Sequence, residues 1–224
     1  MAITIVGTPQ AGQAADAGDV TLVFDVAPQE NDVVVVFGGP SIVGASAIVG
    51  GGYTAFTADG LQGNTRSWYK VMGATPDTQV VGDGGADTRD GVAYIAYVLR
   101  GVDVTNVPDT TAIRNNASAS SNPDPASITT VTDGAWVFAF ASINIADATP
   151  GALSGYTGQA IATQADTFNV SVTGMYKEVA SAGAEDPPAY TGWLGSTWAC
   201  NTVAIRPAAG GGSFLLTPVA VAIL

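Results

Sequence analysis

From Val92 to Leu99 the chain reads VAYIAYVL, eight apolar or aromatic residues in succession, and then stops on Arg100, Gly101 and Asp103. A strand with one wet face alternates apolar and polar residues; a strand buried on both faces reads as a continuous apolar run. Asp32–Gly38, Gly134–Ile145 and Ser196–Arg206 resemble it. Four long hydrophobic strands separated by turns predict a layered all-β body.

The rest of the chain fits that expectation. No sustained 3.6-residue periodicity is present, and β-branched residues and glycines dominate. The pattern predicts strands at Ile3–Val6, Val20–Val26, Val33–Phe37, Arg66–Met72, Val92–Leu99, Ile128–Val131, Ala135–Ile143, Thr167–Val172, Thr197–Arg206 and Phe214–Ile223. Many short strands with turns between them point to a sandwich or barrel. In the strand from Ala135, Trp136, Phe138 and Phe140 share one face, and Ala135, Val137, Ala139 and Ala141 share the other. The large residues are expected between two sheets, and the small ones under a loop or second layer. Two polar stretches, 101–127 and 181–195, read as long loops.

Composition narrows the function classes. The net charge is −12, and Lys70 and Lys177 are the two lysines. Phosphate affinity comes from neutralisation by Lys and Arg, so nucleic acid and anionic membrane surfaces are not expected partners. The first residues carry no Lys or Arg before AITIV, so no secretory signal is expected, and no apolar segment reaches the length of a membrane helix. Cys200, the single cysteine, lies in the apolar run TWACNTVAI and reads as a buried, inert thiol.

Histidine is absent, which removes Ser-His-Asp and Cys-His nucleophile systems and most zinc sites. A carboxylate pair suits glycoside hydrolysis. The acids, however, fall mostly in turn contexts such as Asp59-Gly60, Asp83-Gly84, Asp90-Gly91 and Asp133-Gly134, where Asp caps the backbone. Asp83, Asp87 and Asp90 are the candidate metal ligands, as calcium prefers oxygen-rich loops. That segment lacks EF-hand spacing and carries Arg89, so the solvated-loop reading leads. No catalytic residue and no cofactor are expected. Arg100 and Asp103, three residues apart across Gly101, are expected to form a structural clamp.

Several short motifs, taken in order, resemble a known family. Asn31-Asp32-Val33 opens a strand, Gly52-Tyr53-Thr54 stands where the family has Gly-Trp-Thr, and Ser67-Trp68-Tyr69-Lys70 follows. Leu99-Arg100-Gly101-Val102-Asp103, Asp133-Gly134-Ala135-Trp136-Val137, a second Gly155-Tyr156-Thr157 and Ile205-Arg206-Pro207-Ala208 complete the series. Together they resemble the jelly-roll-like β-sandwich module of phage virion proteins and bacterial surface or prophage proteins. Tyr replaces Trp in both Gly-aromatic-Thr elements, and the chain continues past Pro207-Ala208.

The resemblance implies an all-β, jelly-roll-like sandwich of two antiparallel sheets, with one domain over 1–208. Residues 209–224 are expected to form a glycine hinge and an apolar C-terminal strand or arm. It also implies a non-enzymatic structural protein of a tailed bacteriophage virion, assembled in the bacterial host cytoplasm. Capsid decoration comes first within that class and a tail or fibre component second. Its partners would be copies of itself and other virion proteins.

Partner contacts are expected at Phe214, Leu215, Leu216, Val219 and Val221 of the tail, and at Tyr190 and Trp193 in DPPAYTGW. The tail reads equally as a strand completing its own sandwich. A glycan-binding adhesion module using the Tyr190 and Trp193 loops is the alternative from another class. A carboxylate-based glycan hydrolase or lyase stands behind it.

Overall fold

The computed structural model describes residues 1–15, 18–40, 47–56, 66–84, 91–117, 122–144, 150–165, 169–193 and 196–210, and these contain strands and no helix. Nine strands precede residue 101: β1 (Thr4–Ile5), β2 (Gln10–Ala14), β3 (Val20–Val23), β4 (Val33–Pro40), β5 (Ile48–Val49), β6 (Thr54–Ala55), β7 (Arg66–Val71), β8 (Gln79–Gly82) and β9 (Val92–Arg100). Seven follow: β10 (Ile113–Ala117), β11 (Ile128–Thr129), β12 (Ala135–Ile143), β13 (Thr157–Gln164), β14 (Val170–Val179), β15 (Ala184–Glu185) and β16 (Trp198–Ile205). The predicted strand at Phe214–Ile223 lies outside the described residues.

Two principal antiparallel sheets form the body. One runs β1-β9-β4-β7-β6, with β2 also on β9; the other runs β10-β16-β12-β14-β13. Their facing sides make one core. Val33, Val35, Phe37, Ile95, Tyr97 and Leu99 from the first sheet meet Trp136, Phe138, Phe140, Val172, Val203 and Ile205 from the second. Phe37 stacks on Phe140 with ring centroids 4.9 Å apart. The all-β sandwich expected from the sequence is therefore present.

The outer faces are covered as well, which explains the unbroken apolar runs. Val92, Tyr94, Ala96 and Val98 point away from the central core and pack with Val20, Leu22 and Val80. Those three come from a small sheet ordered β3-β8-β5. On the far side, Val137, Ala139, Ala141 and Ile143 lie under Ile128, Leu153, Tyr156, Tyr190 and Trp193. Large residues fill the space between the principal sheets and small ones lie beneath a loop layer, as the alternation in β12 predicts.

The two halves of the chain repeat one topology. With the small covering strands set aside, the first half reads β2-β9-β4-β7-β6 and the second β10-β16-β12-β14-β13. Register matches at corresponding positions up to a bulge after Thr157: Thr54 pairs with Tyr69 as Thr157 pairs with Tyr176, and Val34 faces Lys70 as Val137 faces Lys177. The turns before β4 and β12 match too. Asn31 and Gly134 both take positive φ, 68° and 74°. Their amides donate to Met72 O and Val179 O, each at 2.9 Å. Asn and Gly tolerate that left-handed conformation at low steric cost. The sandwich is thus two copies of one β unit packed principal sheet against principal sheet.

Candidate functional site

The ends of β9 and β16 each place an arginine on a buried acid. Arg100 leaves β9 and donates from Nε and Nη2 to Asp32 Oδ1 and Oδ2, both at 2.8 Å. The Asp32 side chain is almost fully buried, and its Oδ2 also accepts from Gln29 N at 2.7 Å. The expected Arg100–Asp103 clamp is corrected on this point. Asp103 instead accepts from Thr105 N, Asn106 N and Asn106 Nδ2, which close its own turn and hold its carboxyl below the ordinary range. The physical reason is reach: Gly101 turns the chain away, while Asp32 begins the strand beside β9. Arg206, the counterpart of Arg100 in the second half, pairs with buried Asp109 at 3.2 Å.

Tyr190 and Trp193 are fully buried, so the expectation that they contact partners or glycans is also corrected. Tyr190 donates to Ala139 O at 2.7 Å, and the two rings lie 6.0 Å apart over the small-residue face of β12. A strand face built of alanines leaves room that large side chains from a loop must fill. Cys200 is buried in the same layer, and burial pushes its thiol well above the ordinary value.

Of the three acids weighed as metal ligands, Asp87 and Asp90 lie outside the described residues, as do Phe214, Leu215, Leu216, Val219 and Val221. The carbonyl of Asp83 accepts from Tyr94 Oη at 2.9 Å, and its amide donates to Ala47 O. Among the described residues no group of three or more His, Cys, Asp or Glu is placed to hold a metal, and no helix is long and apolar enough to cross a membrane.

Sequence reasoning missed a pair of related polar sites. In each half a Gly-Tyr-Thr segment places a tyrosine beside the lysine of the neighbouring strand, with an acid completing the group. In the second half Lys177 Nζ lies 5.8 Å from the Tyr156 ring centroid and donates to Glu185 Oε1 and Oε2 at 2.8 and 2.9 Å. Tyr156 Oη donates to the same Oε1 at 3.0 Å, so the trio is closed. In the first half Lys70 Nζ lies 5.4 Å from the Tyr53 ring centroid and donates to Asp77 Oδ2 at 2.7 Å and Gly51 O at 3.2 Å.

The Tyr53 hydroxyl is shielded from solvent and has no partner. Burial, and then the nearby Asp77 charge, raises its pKa and keeps it a protonated donor. The signal for these sites was in the sequence: the chain's two lysines each follow a tyrosine, in Tyr69-Lys70 and Tyr176-Lys177.

Beside Tyr53 lies an open cleft of about 600 Å³. Strand β5 pairs with β8 through Ile48 and Val49, and the chain then turns aside at Gly50 and Gly51. The cleft occupies the space thereby left against Gln79 and Val80. A second cleft of similar size lies between the N-terminal residues and the segment Pro207–Gly210, bordered by Val131, Asp133 and Glu178. No family model, curated protein or solved structure matches this chain.

Proposed function

We propose that the protein is a non-enzymatic structural component of a tailed bacteriophage virion, with capsid decoration as its first assignment and a tail or fibre position as its second. The observation that carries this reading is the ordered series of motifs from Asn31-Asp32-Val33 to Ile205-Arg206-Pro207-Ala208. Those motif residues build scaffold. Asp32 and Arg100 join β4 to β9, Gly134 sits in the turn into β12, and Lys70 and Tyr53 pack together.

A four-layered body with both principal sheets covered suits a load-bearing module. The apolar segment from Phe214, with Leu215, Leu216, Val219 and Val221, is the element proposed to meet a neighbouring virion subunit or a second copy. In the sequence it follows the glycine run Gly210–Gly212.

Purified particles from an infected culture provide the test. Mass spectrometry should find the chain at stoichiometric copy number, and antibody labelling should locate it on the head. Deleting residues 213–224 should leave a folded body that no longer joins the particle. A chain absent from purified particles, and monomeric in solution with its tail intact, would overturn the reading.

A further inference from the structure

Strand β8 has an edge that its neighbours leave partly open. On one side β3 pairs with it from Gly82 to Gln79; on the other β5 reaches only Gly82 and Val81. Successive residues of an antiparallel strand turn their N–H and C=O groups to opposite sides. Thr78 O accepts from Phe24 N on the β3 side, and Asp83 N donates to Ala47 O on the β5 side. The N–H and C=O of Gln79 therefore point to the β5 side, past the last pair of that strand. There the chain turns out of line through Gly50 and Gly52, both at positive φ, 91° and 92°. The open cleft lies in the space this creates, between residues 49–51 and 76–79. An unpaired edge of this kind recognises an extended backbone rather than one particular side chain.

The repeat supplies the strand. Val219 follows Arg206 at the spacing at which Ile113, the first residue of β10, follows Arg100. Thr217-Pro218 precedes Val219 as Thr8-Pro9 precedes Gln10, the first residue of β2. Both relations put residues 219–223 at the sequence position of a five-residue strand, the length of β2 and β10. Those two strands lie along β9 and β16, whose edges are thereby taken. Nor does the β2 position suit the segment. Leu216 and Val221 fall at Gly7 and Gly12, where a Cβ meets the side chains of Asp25, Leu22 and Val20.

We infer that residues 219–223 of a second copy add to the open edge of β8 as a strand, through hydrogen bonds to the N–H and C=O of Gln79. The choice of this segment and of a second copy rests on the virion reading, in which the same segment meets a neighbour; the open edge does not. The charges agree. Lys70 is already paired with Asp77 beside the edge, and residues 219–223 carry no charge, whereas an acidic strand would meet a chain of net charge −12. The faces agree too. One face of the added strand presents Val219, Val221 and Ile223, which fill the cleft against Val80 and the Tyr53 ring. The other presents Ala220 and Ala222, which lie outward beside Val49. Donor strand and acceptor edge are different surfaces, so copies join head to tail into rings or filaments.

The test uses the full chain, followed by sedimentation velocity and amide hydrogen exchange over a concentration series. The chain should associate as concentration rises, and association should slow exchange at the Gln79 amide about tenfold. Gln79→Pro removes the edge N–H and leaves the bonds to β3 in place. It should abolish association in a folded protein, whereas Gln79→Ala, which keeps that N–H, should associate normally. Val221→Pro should abolish association without moving the unfolding midpoint. A chain monomeric at every concentration, association that leaves Gln79 exchange unchanged, or association indifferent to Gln79→Pro would each overturn the inference. Protection of Gln79 that is complete in the monomer and lost in Val221→Pro would assign the edge to the chain's own segment and overturn the second copy as its occupant. Particle composition tests the virion reading separately. A chain present in purified particles but indifferent to Gln79→Pro keeps that reading and loses this one; a chain absent from particles that associates through Gln79 does the reverse.

Discussion

Arg100 and Asp32, 68 residues apart in sequence, are locked by two parallel hydrogen bonds of 2.8 Å at the edge of the central core. The carboxylate is 2% exposed and the guanidinium 43% exposed, so the pair spans the boundary between protein and water. The acid has little access to solvent if its partner is lost. Arg100→Ala should destabilise the fold by about 3 kcal/mol, because it leaves the buried Asp32 carboxylate without its counter-charge. Asp103→Ala should cost visibly less, because Asp103 serves only its own turn. Urea unfolding of both variants checks the order; equal effects would show that buried Asp32 does not depend on Arg100.

Gly174 fixes how closely the two halves approach. A Cβ there would come within 2.5 Å of Phe140 and 2.8 Å of Ile95, one ring and one side chain from opposite sheets. Neither can retreat in a closely packed core. Tyr97, from the first half, also donates to Gly174 O at 2.6 Å. Gly174→Ala should therefore destabilise by about 1–3 kcal/mol, measured as a lower denaturant midpoint. An unchanged midpoint would mean that the sheets are free to separate.

Thr202 offers the opposite case. It is fully buried on β16 opposite Ala139, and its hydroxyl finds no partner. Thr202→Val keeps the shape and removes the unsatisfied group, so the variant should gain about 1 kcal/mol. A lower melting temperature would show that the hydroxyl is satisfied by bound water.

Acid should loosen the β2 and β3 region before the core. Asp25 accepts from Thr8 Oγ1 at 2.7 Å and from Thr8 N at 3.1 Å, and these bonds lower its pKa below the ordinary 3.8. Asp103 is lowered in the same way, first by Asn106 and then by Thr105. A carboxylate with a depressed folded pKa contributes stability above its unfolded pKa and loses it as pH falls through the folded value. Stability should thus decline below about pH 4. Asp25→Asn and Asp103→Asn together should flatten that decline in chemical unfolding across the acid range; an unaltered slope would assign the acid sensitivity to other groups.

Much of the scaffold was legible in the sequence. The run Val92–Leu99 and the alternation of Trp136, Phe138 and Phe140 with small residues announced strands buried on two faces, and both observations follow from period-two geometry. What escaped was non-local. Asp103 looked like the partner of Arg100 because it is near in sequence, whereas β-sheet pairing brought Asp32. Tyr190 and Trp193 looked exposed because their loop is rich in Pro and Gly, yet the alanine face of β12 needed a lid. Strands such as β2, β10 and β13 lack long apolar runs and were hidden among polar residues. The repeat itself survives in few identities, chiefly Gly-Tyr-Thr, Tyr-Lys and the arginine at the end of β9 and just past β16.

Packing one unit upon its twin has a consequence for assembly at high concentration. The surface that the first half offers to the second is the same on every molecule, and the two halves are joined through the segment that follows Gly101. If that connection opens during folding, the first half of one chain can dock on the second half of another through the same Phe37–Phe140 stack and Tyr97 hydrogen bonds. The exchanged dimer keeps every interior contact and changes only the path of the linker. The architecture that secures a single chain therefore also supplies every contact that an intertwined dimer would need.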